Sequence, residues 1–137
     1  MYGDDSLLIV NKPAGLVVHP AIGNWHGTLL NALLNHDPSL ETLPRAGIVH
    51  RIDKETSGLL MIAKTLQAHH SLTEQLQARE ITREYRAVTR GRMTAGGTVD
   101  EPIGRHPTER KRYTVRESGK LAVTHYRVVQ RFAHHTL

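Results

Sequence analysis

Cysteine is absent from this 137-residue sequence, which excludes a disulfide framework, a thiolate nucleophile and any zinc or iron–sulfur site built on Cys. That absence fits a reducing compartment. Aromatic residues are scarce, with one Phe, one Trp and four Tyr. Long apolar runs are missing too: stretches such as Gly58 to Ala63 fall far short of the roughly 18 residues a membrane-spanning helix needs. The N-terminus, Met1-Tyr2-Gly3-Asp4-Asp5, is acidic where a secretion signal is basic, so a cytoplasmic location is expected and no membrane. Acidic residues are the minority, 13 Asp and Glu against 18 Lys and Arg. The resulting net charge of +5 and pI of about 9.9 point to an acidic partner. With 39% apolar and 23% charged residues, the chain has the composition of a folded protein of one domain around one core.

Leu7 to Val10 reads as a strand closed by Asn11-Lys12-Pro13-Ala14-Gly15, with a second short strand at Leu16 to Val18. Thr28 is placed to cap a helix running through Asn35, ended by His36-Asp37-Pro38. Gly58 to Ala63 is apolar on both parities, the pattern of a strand buried on both faces. Leu66 to Arg79 has Ala68, Leu72 and Leu76 four residues apart, which predicts a helix lying on the sheet. Ile81 to Arg90 alternates as a strand does, a turn is expected at Gly96-Gly97, residues 98–120 read as polar and turn-rich, and Leu121 to Phe132 is strand-like again. Two helices among many strands predict an α+β fold with a mixed, mostly antiparallel sheet and flanking helices.

The richest segment chemically is Gly47-Ile48-Val49-His50-Arg51-Ile52-Asp53-Lys54-Glu55-Thr56-Ser57-Gly58, a polar loop between an apolar entry and an apolar strand. Such a loop can be held rigid while presenting Asp53 near Arg51, and a neighbouring cation keeps a carboxylate ionised for service as nucleophile or base. The alternative is structural: Asp53 and Thr56 satisfy backbone groups of a turn while Arg51 and Lys54 are solvated.

The run His50-Arg51-Ile52-Asp53-Lys54-Glu55-Thr56-Ser57-Gly58-Leu59-Leu60 resembles the signature of the RluA/RluD-type RNA pseudouridine synthases, usually His-Arg-Leu-Asp-x-x-Thr-Ser-Gly-Leu, with Ile52 the conservative difference. Asn11 to Pro20, Arg79 to Tyr85, Gly96 to Pro107 and Ala122 to Tyr126 are also similar to family segments, in the family's order. The likeness is strongest to members that modify a stem-loop of large-subunit ribosomal RNA.

The resemblance implies the pseudouridine synthase catalytic fold and an enzyme that isomerises uridine to pseudouridine without cofactor or metal. Asp53 corresponds to the catalytic aspartate, with attack at the sugar, attack on the uracil ring and abstraction of a sugar proton all open as its role. Tyr85 corresponds to the tyrosine that stacks on the target base, its alternative being a core aromatic of the sheet. Arg51 corresponds to the arginine that takes the place of the expelled base, where a planar cation offsets part of the unstacking cost. His50, Arg83, Arg86, Arg105, Arg110, Lys111 and Arg112 are candidate RNA contacts, since neutralised phosphates release counterions; a solvated basic face is the alternative. The ten histidines include no i, i+4 pair with an intervening Glu, so no metal is expected. Trp25 is either a stacking residue or a packing anchor.

Family members usually continue past the position of Leu137 into a third motif, and many begin with an S4-type RNA-binding domain. Residues 1–137 are therefore expected to be the N-terminal part of the catalytic domain, monomeric, with the sheet incomplete at its C-terminal end, apolar strand edges uncovered and little activity alone. The competing readings are a synthase acting on tRNA or another RNA, a noncatalytic RNA-binding module, and a glycoside hydrolase using Asp53 with Glu55. The last requires two carboxylates about 5 Å apart, which a spacing of two residues in a loop does not guarantee.

Overall fold

The structure, a computed structural model, describes residues 2–110 and 112–137; Lys111 lies outside the described residues. Chain contacts divide it into two compact units, residues 1–82 and 83–137, and the cluster of buried apolar side chains lies in the first.

The first unit is built on a three-stranded antiparallel sheet in the order β1 (Tyr2–Gly3), β2 (Leu7–Lys12), β3 (Gly58–Ala63). Register pairs Leu8 with Ile62, Val10 with Leu60 and Lys12 with Gly58. Leu8, Leu60 and Ile62 are buried, each worth about 1.5–3 kcal/mol of hydrophobic transfer. The expectation that β3 is buried on both faces holds only at its far end. Leu59 is 66% exposed and Met61 half-buried, whereas Ala63 is enclosed.

Helix α1 (Leu29–His36) starts as its sequence predicts. Thr28 accepts from the Asn31 amide through its hydroxyl, and the Asn31 side chain accepts from the Thr28 amide, so two otherwise unpaired helix-start donors are satisfied. Leu29 and Leu33 seat the helix on the core. The strand expected at Leu16 to Val18 does not form. The carbonyls of Val17 and Val18 accept instead from the amides of Leu29 and Leu30, and Lys12 takes the carbonyl of Leu16, so helix and lysine consume the groups a ladder would need.

Two 3-10 turns, Pro38–Thr42 and Pro44–Gly47, fill the segment before the polar loop. The second contains left-handed Arg45 (φ 54°) and Ala46 (φ 52°), followed by Gly47 at φ 77°. Ala46 and Gly47 are buried, and a Cβ on Gly47 would overlap the Ala63 carbonyl, so only glycine fits. Helix α2 (Leu66–Gln77) is capped by the Thr65 hydroxyl. It contacts β3 through a half-buried face that includes Ala68, Leu72 and Leu76, as the spacing predicts.

The second unit consists of three two-stranded antiparallel ladders nested along the chain. They are β4 (Thr89–Arg90) with β9 (His135–Thr136), β5 (Gly97–Asp100) with β8 (Val123–Tyr126), and β6 (Ile103–Arg105) with β7 (Tyr113–Val115). Its outer closure is Thr136, which is buried, donates to the Gly91 carbonyl and accepts from the Met93 amide. Three expectations are corrected here. Residues 81–88 carry a strand pattern but form no ladder among the described residues, because alternation makes a strand only where a partner supplies hydrogen bonds. Residues 98–120, expected to be turns, contain most of β5 and all of β6 and β7. Leu121 to Phe132 holds regular strand only over β8, with an isolated bridge at Arg131. Val99, Val115 and Val123 on these strands, and Leu121, Val129 and Phe132 outside them, are exposed.

Among the described residues no helix is long and apolar enough to cross a membrane.

Candidate active site

The polar loop leaves the buried turn at Gly47 and runs along the edge of β3 opposite β2, where Ile48 makes a bridge to Ile62. Ile48 and Ile52 point inward and are buried, His50 is half-buried, and Arg51 and Asp53 are exposed. This alternation is that of an extended strut with one face on the core. His50 replaces a strand partner: its Nε2 accepts from the Met61 amide at 3.1 Å, which assigns the ring hydrogen to Nδ1. His50 is thus bound into the scaffold at the position where the sequence suggested an RNA contact.

Lys12 secures the far side of the loop. Its parity along β2 is that of Leu8 and Val10, so it points at the core, and it has no exposed surface. The ammonium donates to the carbonyls of Pro13 at 2.9 Å, Leu16 at 2.8 Å and Lys54 at 2.9 Å. Three donors meet three acceptors, which is the full capacity of the group. The Gly15 amide also donates to the Lys54 carbonyl at 2.8 Å. The Asn11 to Pro20 segment is thereby tied to the residue following Asp53. Sequence reasoning placed Lys12 in a turn and missed this function; the signal was its inward position two residues beyond Val10.

Asp53 itself begins a turn, its carbonyl accepting from the Thr56 amide at 3.1 Å, as the structural alternative expects of the backbone. Its carboxyl is on an exposed residue. The cation expected near Asp53 makes no ion pair with it: among the described residues the ion pairs within 4 Å are Arg112 with Glu109 and Arg127 with Glu84, although alternation on the strut puts Arg51 and Asp53 on one exposed face. His19, half-buried, is held below the usual histidine range by burial and by the charges of Arg45 and Arg51.

The remaining candidates belong to the second unit. Tyr85 is 57% exposed and packs in no core among the described residues. Arg83 and Arg86 flank it on the same exposed, extended segment, and the intervening Glu84 pairs with Arg127 at 2.8 Å. Arg105 lies 4.4 Å from the centre of the Tyr113 ring and donates to the Arg110 carbonyl. Arg112 pairs with Glu109 at 2.9 Å. The β6–β7 hairpin thus presents its arginines partly preordered by each other's backbone. Trp25, in the first unit, is 62% exposed and anchors no packing among the described residues. Among the described residues no three His, Asp or Glu side chains converge as a metal site requires.

Residues 6–137 match the family model described as RNA pseudouridylate synthase. The chain is 57% identical over 136 residues to ribosomal large subunit pseudouridine synthase D of Pseudomonas aeruginosa, covering 99% of this chain and 42% of that protein. It is 59% identical over 136 residues to the protein of the same name from Escherichia coli K12, with the same coverages of 99% and 42%. The chain therefore spans about two fifths of the length of the curated relatives it matches. Among solved structures, human RNA pseudouridylate synthase domain containing 4 superposes with a TM-score of 0.69 at 25% identity, over 98% of this chain and 55% of that one. Human RNA pseudouridylate synthase domain containing 1 shares the fold at a TM-score of 0.75 and 24% identity, over 98% and 55% of the two chains. The α+β architecture, the motif order and these likenesses agree: the chain belongs to the RNA pseudouridylate synthase family.

Proposed function

We propose that the protein containing this chain isomerises uridine to pseudouridine in large-subunit ribosomal RNA. The observation that carries the reading is the Asp53 loop: a family motif whose backbone is pinned by Ile48, Ile52, His50 and Lys12 while its carboxyl stays open to a substrate. The reaction breaks the bond between N1 of uracil and C1′ of the ribose, turns the base and joins C5 to C1′. The proton on C5 is lost and N1 gains one, so atoms balance without cofactor or metal. Asp53 acts against the flipped nucleotide, where each of its three candidate roles requires a carboxylate shielded from water. Arg51, exposed beside it, fills the space the base vacates, and Tyr85 stacks on the base. Arg83, Arg86, Arg105, Arg110, Lys111 and Arg112 supply contacts to phosphates. The names of the relatives support ribosomal RNA as substrate, and with it a cytoplasmic site of action.

The test is pseudouridine formation on large-subunit RNA stem-loops, comparing this chain, the protein over the full length of its relatives, and Asp53→Ala in the latter. Turnover in the long wild-type form, lost in Asp53→Ala with RNA binding retained, is expected. Equal turnover with Asp53→Ala refutes the assignment of the aspartate. Pseudouridine formed on tRNA alone moves the substrate, and RNA binding without turnover in any form favours the noncatalytic module.

A further inference from the structure

The β6–β7 hairpin concentrates the charge of the chain. Residues 103–116 hold five basic residues, Arg105, Arg110, Lys111, Arg112 and Arg116, against Glu109 alone, and so carry +4 of the chain's net +5. A polyanion is the partner that such a density attracts. One face of the hairpin, however, is not built from charge only. Register sets Ile103 opposite Val115 and Arg105 opposite Tyr113, and side chains directly opposite, or two residues apart on one strand, share a face. Ile103, Val115 and Tyr113 are all exposed on it.

Tyr113 is fixed from beneath. The Arg105 guanidinium lies 4.4 Å from the ring centre, and its Nη1 donates to the Arg110 carbonyl at 3.1 Å. Arg116 donates to the Arg105 carbonyl at 3.3 Å, and its stem crosses Gly104 so closely that a Cβ there would stand 2.7 Å from the Arg116 Cδ. Tyr113 is nevertheless 61% exposed, so with the guanidinium over one face of the ring the other face is open. Tyr126 shows the contrast: its ring lies over Gly97, where a Cβ would come within 2.9 Å of the hydroxyl, and so covers backbone. An open aromatic face, held rigid, flanked by apolar Ile103 and Val115 and set among cations, matches an unpaired nucleotide, which brings a π face and a phosphate together.

We propose that the Tyr113 ring is a stacking platform for an unpaired base of the substrate RNA, distinct from the target uridine, while Arg105 behind the ring keeps its remaining N–H groups for a neighbouring phosphate. The identity of the ligand rests on the reading of the protein as an RNA-modifying enzyme. A ring already held in place loses little freedom on stacking, and a neutral one displaces no counterion. The contact therefore adds affinity that salt does not weaken. A fully paired helix, whose bases are stacked on each other, cannot make it.

The test measures binding of the protein, over the full length of its relatives, to a large-subunit RNA stem-loop and to a fully paired duplex of the same length. Tyr113→Ala is expected to weaken stem-loop binding about 5- to 150-fold, the range of one base–aromatic stack, and to leave duplex binding unchanged. The slope of log affinity against log salt is expected to stay the same, whereas loss of one phosphate contact on a single strand lowers it by about 0.7. Tyr113→Phe, which keeps the ring, is expected to bind as wild type does. Single abasic sites in the RNA carry the test even where Tyr113→Ala disturbs the hairpin: at one loop position, base removal is expected to weaken wild-type binding by the same factor and to weaken Tyr113→Ala no further. Equal weakening on stem-loop and duplex, a slope reduced by one phosphate, or abasic losses that multiply with Tyr113→Ala at every loop position overturn the proposal. Ring-dependent binding in a protein that makes no pseudouridine on any RNA leaves the platform standing and defeats the enzymatic reading instead. Turnover with binding indifferent to Tyr113→Ala defeats the platform alone.

Discussion

Replacing Lys12 by Met tests the scaffold most directly. Methionine nearly matches the volume of the lysine stem, so the change isolates the ammonium and its three carbonyl partners. Two effects oppose each other. Removing a buried charge recovers its desolvation cost, which in some buried ion pairs makes an apolar replacement neutral or better. That recovery requires both partners to become apolar, however, and the carbonyls of Pro13, Leu16 and Lys54 cannot be removed. The Lys54 carbonyl keeps its bond from the Gly15 amide, leaving two carbonyls to find water or go unpaired at about 1–3 kcal/mol each. The orphaned acceptors therefore win, and the expected loss is about 2–4 kcal/mol. Urea unfolding followed by helical circular dichroism reports on the first unit, which contains α1 and α2. With a slope of about 1–3 kcal/mol per molar, the midpoint falls by about 0.7–4 M. Hydrogen exchange at the Gly15 amide is expected to accelerate with it. A midpoint within about 0.3 M of wild type at unchanged slope would refute the claim that the ammonium holds the loop.

Gly47→Ala forces a Cβ onto the Ala63 carbonyl at a left-handed φ, and a loss of about 2–4 kcal/mol is expected from overpacking and backbone strain together, read as a lower thermal midpoint. Thr28→Ala removes the capping box of α1 and is expected to cost about 1 kcal/mol in the same melt. Stability is expected to fall as pH drops below about 6.5, the ordinary histidine value. His19 is depressed in the folded state by burial and by Arg45 and Arg51, so the unfolded chain takes up its proton first and protonation favours unfolding. The penalty saturates below the folded-state midpoint, and a His19→Gln variant whose pH profile over this window matches wild type would contradict it.

Much of the first unit was readable because its signals are local. Thr28 precedes an apolar run with the right spacing, and Ala68, Leu72 and Leu76 mark one helical face; both helices form within two residues of those expectations at either end. The paired strands β2 and β3 likewise follow apolar runs bounded by Asn-Lys-Pro and Gly. What was not readable depends on distant partners. Nothing within Leu16 to Val18 says that its carbonyls will cap a helix eleven or more residues later, and nothing in Ile81 to Val88 says that no strand will pair with it. The strands β5, β6 and β7 were not legible because they are short and mostly exposed, so burial imprints no alternation on them, whereas β8 falls within the segment that reads as strand-like. The motif places Asp53 and Arg51 two residues apart on one exposed face of the strut, and residue types alone do not say that they make no ion pair there.

That missing pair bears on how the chemistry is organised. A carboxylate buried in the free protein would need a permanent cation or would lose its charge by desolvation. Asp53 is instead exposed, in reach of water. Under the proposed function, docked RNA covers the loop and part of the binding energy is spent on drying the carboxylate. For that to work the loop cannot yield under the load. The investment seen in the backbone answers this requirement: Ile48 and Ile52 packed beneath, His50 bonded to β3, Lys12 gripping the Lys54 carbonyl, and Gly47 wedged against Ala63. Rigid backbone and exposed side chain are therefore two halves of one arrangement, in which buried residues fix the position of a carboxylate that stays open.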